Sequence, residues 1–214
     1  MKAYSFKKFK PTGLRVWHWL NAVVLLGSLA TVALRDTFLA VRPNTHLIMQ
    51  KITEAGGSIT EPVAREVAQG LRNQMWTWHF YFGFCLAGLL VLRLLVRVFA
   101  EKGPFLSEFL KAWRMSEAPT VSKKKALHYN LVKTGYAAFY LVLIYQVVSG
   151  LTMYYGEQLG LSDAVFDAIH EVHELFLWFF VGFIVIHVLG VIFQELLGER
   201  GIVSDMIHGG DGEL

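Results

Sequence analysis

Four histidines lie inside or at the ends of long apolar segments of this 214-residue chain. They are His18, His79, His173 and His187. An ionisable side chain is costly inside a bilayer, so its presence there indicates function by default. A single such histidine is equally well explained by a hydrogen bond between helices. Four of them at matched positions are harder to explain by packing alone.

His173 and His187 stand 14 residues apart in one apolar segment. In an α-helix this spacing is close to four turns, so both imidazoles point to one face, about 21 Å apart along the axis. His170 would lie about 100° away from that face, which makes it the weaker candidate. The spacing therefore predicts one histidine near each membrane surface.

The other two histidines match this pair by depth. If the first segment crosses from inside to outside, His18 lies level with His187, and the returning second segment places His79 level with His173. Two imidazoles that face each other across a helix bundle suit the axial positions of haem iron. Zinc is disfavoured, because its structural sites usually take four protein ligands. We therefore expect an inner haem on the first pair and an outer haem on the second.

The chain has one cysteine, Cys85. This count excludes an internal disulfide, a cysteine-based metal cluster and covalent haem attachment through Cys-x-x-Cys-His. Any haem must therefore be held non-covalently. The net charge of +3 makes nucleic acid a poor candidate partner.

Long apolar runs position these histidines. The chain is 54% hydrophobic and 17% charged, with a mean hydropathy of +0.43, whereas soluble domains carry about 25% charged residues. A helix needs roughly 20 apolar residues to cross a hydrocarbon core about 30 Å thick. Four proline-free runs have this length: 14–34, 76–99, 131–155 and 173–196. The sequence predicts an all-α integral membrane four-helix bundle that forms one domain over residues 1–214.

The basic residues set the orientation of these spans. The first run has the basic start of a signal peptide, with Thr31 and Ala33 as a weak cleavage site, but it is too long for one. We expect this segment to be kept as a membrane helix and not to be cleaved. Of the 20 Lys and Arg residues, about three quarters fall on the side of the N terminus, and such an excess marks the inner face. Both termini are therefore predicted to be cytoplasmic.

Two outer segments are candidates for contact with a partner. Residues 35–75 form a long outer loop, in which 58–72 fits a short amphipathic helix with Val63, Val67 and Leu71 four residues apart. This helix is either a lid on the membrane surface or a docking surface. The second outer loop, 156–172, contains acidic residues and neither Lys nor Arg. That composition suits a basic redox partner, but it is also the default for an outer loop.

Two arginines are candidates for haem propionate contacts. Arg15 precedes His18 by one turn, and Arg93 follows His79 by 14 residues, on the same face but at the inner level. Propionates form charge-assisted hydrogen bonds with cations. Snorkelling of these arginines to lipid headgroups is the alternative. Small residues such as Gly27 would make room for a flat porphyrin, although helix packing alone also selects them.

The histidine pattern resembles a known family. The arrangement Arg-x-x-His-Trp at residues 15–19, a histidine at the start of the second run and two histidines 14 apart in the fourth resemble the b-type cytochrome subunits of membrane-bound Ni/Fe hydrogenases. Formate dehydrogenase gamma subunits and bacterial cytochrome b561 proteins belong to the same wider superfamily. The tail, 201–209, resembles the Gly-x-x-Ser-x-Met-x-x-Gly ending common in it. The resemblance covers nearly the whole chain.

The resemblance implies a function in electron transport. It implies two haems b in the bacterial inner membrane, with His18, His79, His173 and His187 as iron ligands. It also implies electron exchange between a periplasmic redox protein, such as an iron–sulfur subunit or a cytochrome c, and membrane quinone. The chain would then be an electron-transfer subunit of the respiratory chain rather than a self-sufficient enzyme.

The quinone site is predicted near the inner haem. The segment 128–130 resembles the family's His-Asn element, with a tyrosine inserted. The polar groups available there are those of His128, Asn130, Lys133 and Ser204. The alternative is that they are solvated members of a basic inner loop.

Two rival functions stay open. One is a stand-alone quinol oxidase of the cytochrome b561 kind. The other is a small histidine-lined metal or proton transporter. Transport predicts carboxylates inside the spans, but only Glu174 and Glu195 occur, each at an end of a span.

Overall fold

The computed structural model describes residues 12–99, 123–197 and 201–209, and all regular secondary structure in these ranges is α-helical. The helices are α1 Thr12–Asp36, α2 Val41–Glu54, α3 Glu61–Phe99, α4 Lys123–Tyr154, α5 Asp163–Leu197 and α6 Ile202–His208. Four of them, α1, α3, α4 and α5, are long and apolar enough to cross a membrane. The predicted all-α class with four spanning helices is confirmed.

The segment predicted as a long outer loop is mostly helical. Helix α2 was not predicted, because its sequence is polar and contains Pro43. This proline lies in the first helical turn, where no intrahelical partner is needed for a backbone N–H. The amphipathic segment 58–72 is not a separate helix: α3 begins at Glu61 and continues without a break through the span. Between Pro62 and the apolar run at 76–99, the sequence contains no proline that would break the helix.

The chain divides into two compact units, and one of them comprises residues 19–88. Ala64 and Ala68 in the N-terminal part of α3 are fully buried, whereas the apolar stripe of Val63, Val67 and Leu71 is about half exposed. Thus the small residues of this segment face the protein and the large apolar ones face outward.

A close helix contact in this unit depends on Gly27. A Cβ atom at Gly27 would lie 2.6 Å from ring atoms of Phe82, which is closer than real atoms approach. Gly27 therefore lets the Phe82 ring of α3 lie directly against α1.

The second unit contains residues 12–18 of α1, α3 from Leu89 onward, α4, α5 and α6. Phe139 on α4 packs against Phe180 and Phe183 on α5, with ring centroids 5.8 and 4.7 Å apart. Phe180 and Leu143 are almost completely buried. These rings occupy the α4–α5 contact between the levels of the two α5 histidines.

Candidate functional site

His18 on α1 and His187 on α5 are neighbours within one unit. Their ring centroids are 6.2 Å apart, and their planes are inclined by 61°. Metal–imidazole bonds are about 2.0–2.1 Å long in zinc sites, which places two imidazoles on opposite sides of one metal ion with their centres roughly 6 Å apart. The observed separation therefore fits a metal ion held between the two rings.

Neighbouring aromatic rings position this pair. The His187 ring stacks parallel to Phe183, with centroids 5.9 Å apart and planes inclined by 5°. Trp17, next to His18, is buried, donates its Nε1–H to the carbonyl of Leu89 at 2.8 Å, and stacks on Tyr140 of α4. These contacts hold the first turns of α1 against α3 and α4. They therefore fix the position of His18.

The two arginines predicted near the inner haem are engaged by protein groups. The Arg93 guanidinium lies 5.7 Å from the Trp17 ring centroid, which places it beside the start of α1. Arg15 donates to the carbonyl of Ile207 at the C-terminal end of α6 and to the hydroxyl of Thr12. A cation is favourable at a helix C terminus, so Arg15 anchors the C-terminal helix. A propionate contact of either arginine stays a prediction.

His79 on α3 is held by hydroxyl groups of α1. The Thr31 Oγ1 atom lies 2.9 Å from Nδ1 of His79, and Ser28 Oγ lies 3.4 Å from the same nitrogen. Thr31 donates its own hydroxyl proton to the Ser28 carbonyl at 2.6 Å. Its oxygen therefore accepts the Nδ1–H of His79. In a neutral imidazole with this tautomer, Nε2 carries the lone pair that binds metal.

His173 on α5 has the same arrangement with α4. Ser149 Oγ lies 2.7 Å from Nδ1 of His173 and donates its proton to the Gln146 carbonyl at 3.2 Å. Gln146 also donates to the backbone carbonyl of His173 at 3.1 Å. A Cβ atom at Gly150 would lie 3.3 Å from Cε1 of His173, so glycine lets the ring lie close to α4. In the corresponding tautomer, Nε2 of His173 would carry the lone pair.

His79 and His173 belong to different units of the chain. Their pairing on one haem stays a prediction. Within the described ranges, no three His, Cys, Asp or Glu side chains group as a metal site. A metal ion held by only two imidazoles needs its other ligands from a cofactor, and the porphyrin nitrogens of a haem meet that need. The donor set thus fits haem.

The hydroxyl groups beside His79 and His173 were not predicted from the sequence. Thr31 was assigned only to a weak signal-peptide cleavage site, and Ser149 was given no role. A signal was present, because two of the spans each carry a polar pair three residues apart: Ser28 with Thr31, and Gln146 with Ser149. Polar pairs on one face of an apolar helix indicate hydrogen bonds to a neighbouring helix.

The structure describes the side chains of three of the four residues predicted to bind quinone. Asn130 and Lys133 lie one turn apart near the start of α4 and are half-buried, and Ser204 is exposed. The Ser204 hydroxyl donates to the Gly201 carbonyl at 3.0 Å, within the first turn of α6. His128 lies in α4, but its side chain falls outside the described part of the structure. A quinone site at these residues stays a prediction.

The predicted acidic loop is shorter than expected, because α5 begins at Asp163. Asp163, Asp167 and Glu171 are exposed and four residues apart on this helix. At this spacing they lie near one face. The last of these acidic residues, Glu171, precedes His173 by two residues along α5.

Comparison with known proteins relates the chain to one family. The family model described as prokaryotic cytochrome b561 matches residues 10–209. A protein of Rhizobium leguminosarum bv. viciae named probable Ni/Fe-hydrogenase B-type cytochrome subunit is 24% identical over 92% of this chain and 84% of its own length. A protein of the same name from Cupriavidus necator is 29% identical over 33% of this chain and 34% of its own length. No solved structure matches the chain significantly.

Proposed function

Because the chain belongs to the prokaryotic cytochrome b561 family, a family that implies haem b, we propose that it is a di-haem cytochrome that carries electrons between an outer redox partner and membrane quinone. The observation that supports this most directly is the 6.2 Å separation of the His18 and His187 rings. These two residues would ligate the inner haem. His79 and His173 would ligate the outer haem.

The chain's own residues determine how such haems are held. Bis-imidazole haem supplies one-electron transfer at an iron with no open coordination position. Thr31 and Ser149 accept the Nδ1 protons of His79 and His173, which directs each Nε2 away from the hydroxyl. Phe183 stacks on His187 and restricts its rotation. All four imidazoles are half-buried, so neighbouring side chains shield part of each ring from solvent.

We propose the outer partner from the acidic surface of α5 and from the names of the two relatives. Both curated relatives are named as hydrogenase cytochrome subunits, which favours a hydrogenase, with its iron–sulfur subunit as the electron donor. A cytochrome c is the second candidate. The acidic face of Asp163, Asp167 and Glu171 would attract a basic rim around the partner's cofactor. With this acidic face on the outer side, both termini are cytoplasmic, and the chain lies in the bacterial inner membrane.

Quinone would bind near the inner haem, beside Asn130, Lys133 and Ser204, with His128 as a further polar group. Titration with a quinone analogue tests this placement. His128→Ala should lose quinone-linked haem oxidation but keep its haem. Unchanged kinetics in this variant would remove His128 from the quinone site.

The haem content of the purified protein tests the main proposal. The wild type should bind two haems per chain, with a low-spin spectrum in the reduced-minus-oxidised difference. His18→Ala and His187→Ala should each lose one haem and keep the other. His170→Ala is the matched control, since His170 is an exposed histidine of the same helix as His187, and it should keep both haems. Full haem content in both ligand variants would overturn the ligand assignment, and one haem in the wild type would overturn the di-haem function.

A further inference from the structure

Two arginines share one carboxylate oxygen near the outer histidine of α3. Arg35 and Arg72 each lie 3.3 Å from Oδ1 of Asp36. Their side chains are 21% and 30% exposed. Two guanidinium groups against one carboxylate leave a net charge of +1.

This cluster is connected to His79 through Trp76. The Arg35 guanidinium lies over the Trp76 ring, 4.4 Å from its centroid. The edge of Trp76 packs against His79, with ring centroids 5.5 Å apart. Arg35 lies one turn beyond Thr31 on α1, and Arg72 lies about two turns before His79 on α3. Both cations are therefore on the outer side of this histidine and within the same unit.

The hydrogen bonds of the cluster are incomplete. Charge-assisted N–H to carboxylate bonds are about 2.7–2.9 Å long, and both bonds to Asp36 are longer. The Nε atom of Arg72 is buried and has no hydrogen-bond partner in the described structure. A buried donor without an acceptor is costly, so a further acceptor at this position would stabilise the protein.

We propose that Arg35 and Arg72 bind a propionate carboxylate of the outer haem. This inference rests on the proposed function, since it requires a haem at His79. A carboxylate supplies the acceptor that Nε of Arg72 lacks and a negative charge beside two guanidinium groups. Arg35 contacts Trp76, which itself packs against His79, so its guanidinium lies near that histidine, and Asp36 holds Arg72 beside Arg35.

Redox titration of the outer haem in charge variants tests this site. A cation that neutralises a propionate favours the reduced haem, because reduction adds a negative charge. Arg72→Gln and Arg35→Gln should therefore each lower the midpoint potential of the outer haem. Removing one charge near the iron should change the ferric–ferrous equilibrium by about tenfold at the effective permittivity of proteins, and tenfold is about 59 mV for a one-electron couple.

Asp36→Asn distinguishes a charge effect from a loss of structure. This variant removes the competing carboxylate, so the outer potential should rise although the ion pairs are broken. Arg72→Lys keeps the charge and should retain most of the wild-type potential. Arg65→Gln removes an exposed arginine from the same helix and should leave both potentials unchanged. The inner haem provides an internal reference in every titration.

The outcomes separate this inference from the proposed function. A wild type without an outer haem would overturn both. Two haems in the wild type, with an unchanged outer potential in the Gln variants, would overturn only the propionate site and would assign the arginines to headgroups. A lowered outer potential in Asp36→Asn would likewise overturn it, since that result indicates a purely structural role. If a Gln variant binds no haem, Arg72→Lys and Asp36→Asn still show whether positive charge at this cluster raises the potential of the outer haem.

Discussion

The Ser149 hydroxyl oxygen lies 2.7 Å from Nδ1 of His173. If that hydroxyl gives its proton to the Gln146 carbonyl, Nδ1 of the histidine donates to the hydroxyl oxygen and the lone pair of the imidazole lies on Nε2. Residues that orient a metal ligand in this way typically change metal affinity 10–100-fold when they are replaced. The arrangement of Thr31 with His79 is equivalent.

We expect Ser149→Ala to weaken retention of the outer haem by roughly 10–100-fold and to shift its midpoint potential, with the inner haem unchanged. Ser149→Thr should restore both properties, because it returns the hydroxyl. Thr152→Val is the matched control, since Thr152 is a half-buried residue of the same helix whose hydroxyl donates to the Val148 carbonyl. Haem retention during dilution and a resolved redox titration measure the effect. Identical behaviour of Ser149→Ala and Thr152→Val would contradict the orienting role.

Gly150→Ala should displace the His173 imidazole. The added Cβ would lie 3.3 Å from Cε1 of that ring, so the ring must move by a few tenths of an ångström. We expect an altered outer-haem spectrum and a stability loss of about 1–3 kcal/mol, as for other insertions into packed sites. Gly135→Ala is the control, because a Cβ at Gly135 meets no atom within 4 Å. The low-temperature absorption spectrum of both variants measures the difference, and equal spectra would contradict the close contact.

Arg15→Ala should release the C-terminal helix. Arg15 donates to the carbonyl of Ile207, and its guanidinium lies against Gly209, which has a φ of 105°. Loss of this cation at the end of α6 should cost about 1 kcal/mol and speed proteolysis within residues 201–209. Arg42→Ala, which removes an exposed arginine of α2, should cleave at the wild-type rate. Equal cleavage of the two variants would show that Arg15 does not anchor the tail.

The acidic face of α5 should accelerate docking of a basic redox protein. Electron transfer from a soluble cytochrome c should slow as ionic strength rises, because salt screens the attraction. Asp163→Asn combined with Asp167→Asn should slow the reaction at low salt and flatten its salt dependence. Glu61→Gln combined with Glu66→Gln removes two exposed acids from α3 and serves as the control. Stopped-flow rates that respond to neither salt nor the α5 variant would leave this face without a docking role.

The sequence predicted the four spanning helices because each is a long apolar run, and the family match confirms the resemblance drawn from residues 15–19 and the spaced histidines. It also placed His18 level with His187, and the structure brings these two rings together. Depth in a membrane follows from position along a helix, so such a pairing can be predicted from one sequence.

Other features depend on contacts that position along one helix does not determine. The bonds from Thr31 to His79 and from Ser149 to His173 join different helices, so the rotation of each helix decides which hydroxyl meets which ring. Helix α2 was not predicted, because neither its polar composition nor Pro43 indicates a helix. The contact of Gly27 with the Phe82 ring likewise depends on how α1 and α3 are rotated toward each other.

Helix α3 runs for 39 residues without a break, a length of about 58 Å, whereas the hydrocarbon core is about 30 Å thick. A large part of this helix therefore extends beyond the thickness of a hydrocarbon core. It carries the exposed Val63, Val67 and Leu71 stripe in its N-terminal part and His79 further along. Since no proline between them interrupts the helix, a force applied at the stripe would tilt the whole helix and move His79 with it. Mechanical load from any protein held at that end would thus reach the hydroxyl-bonded imidazole of His79.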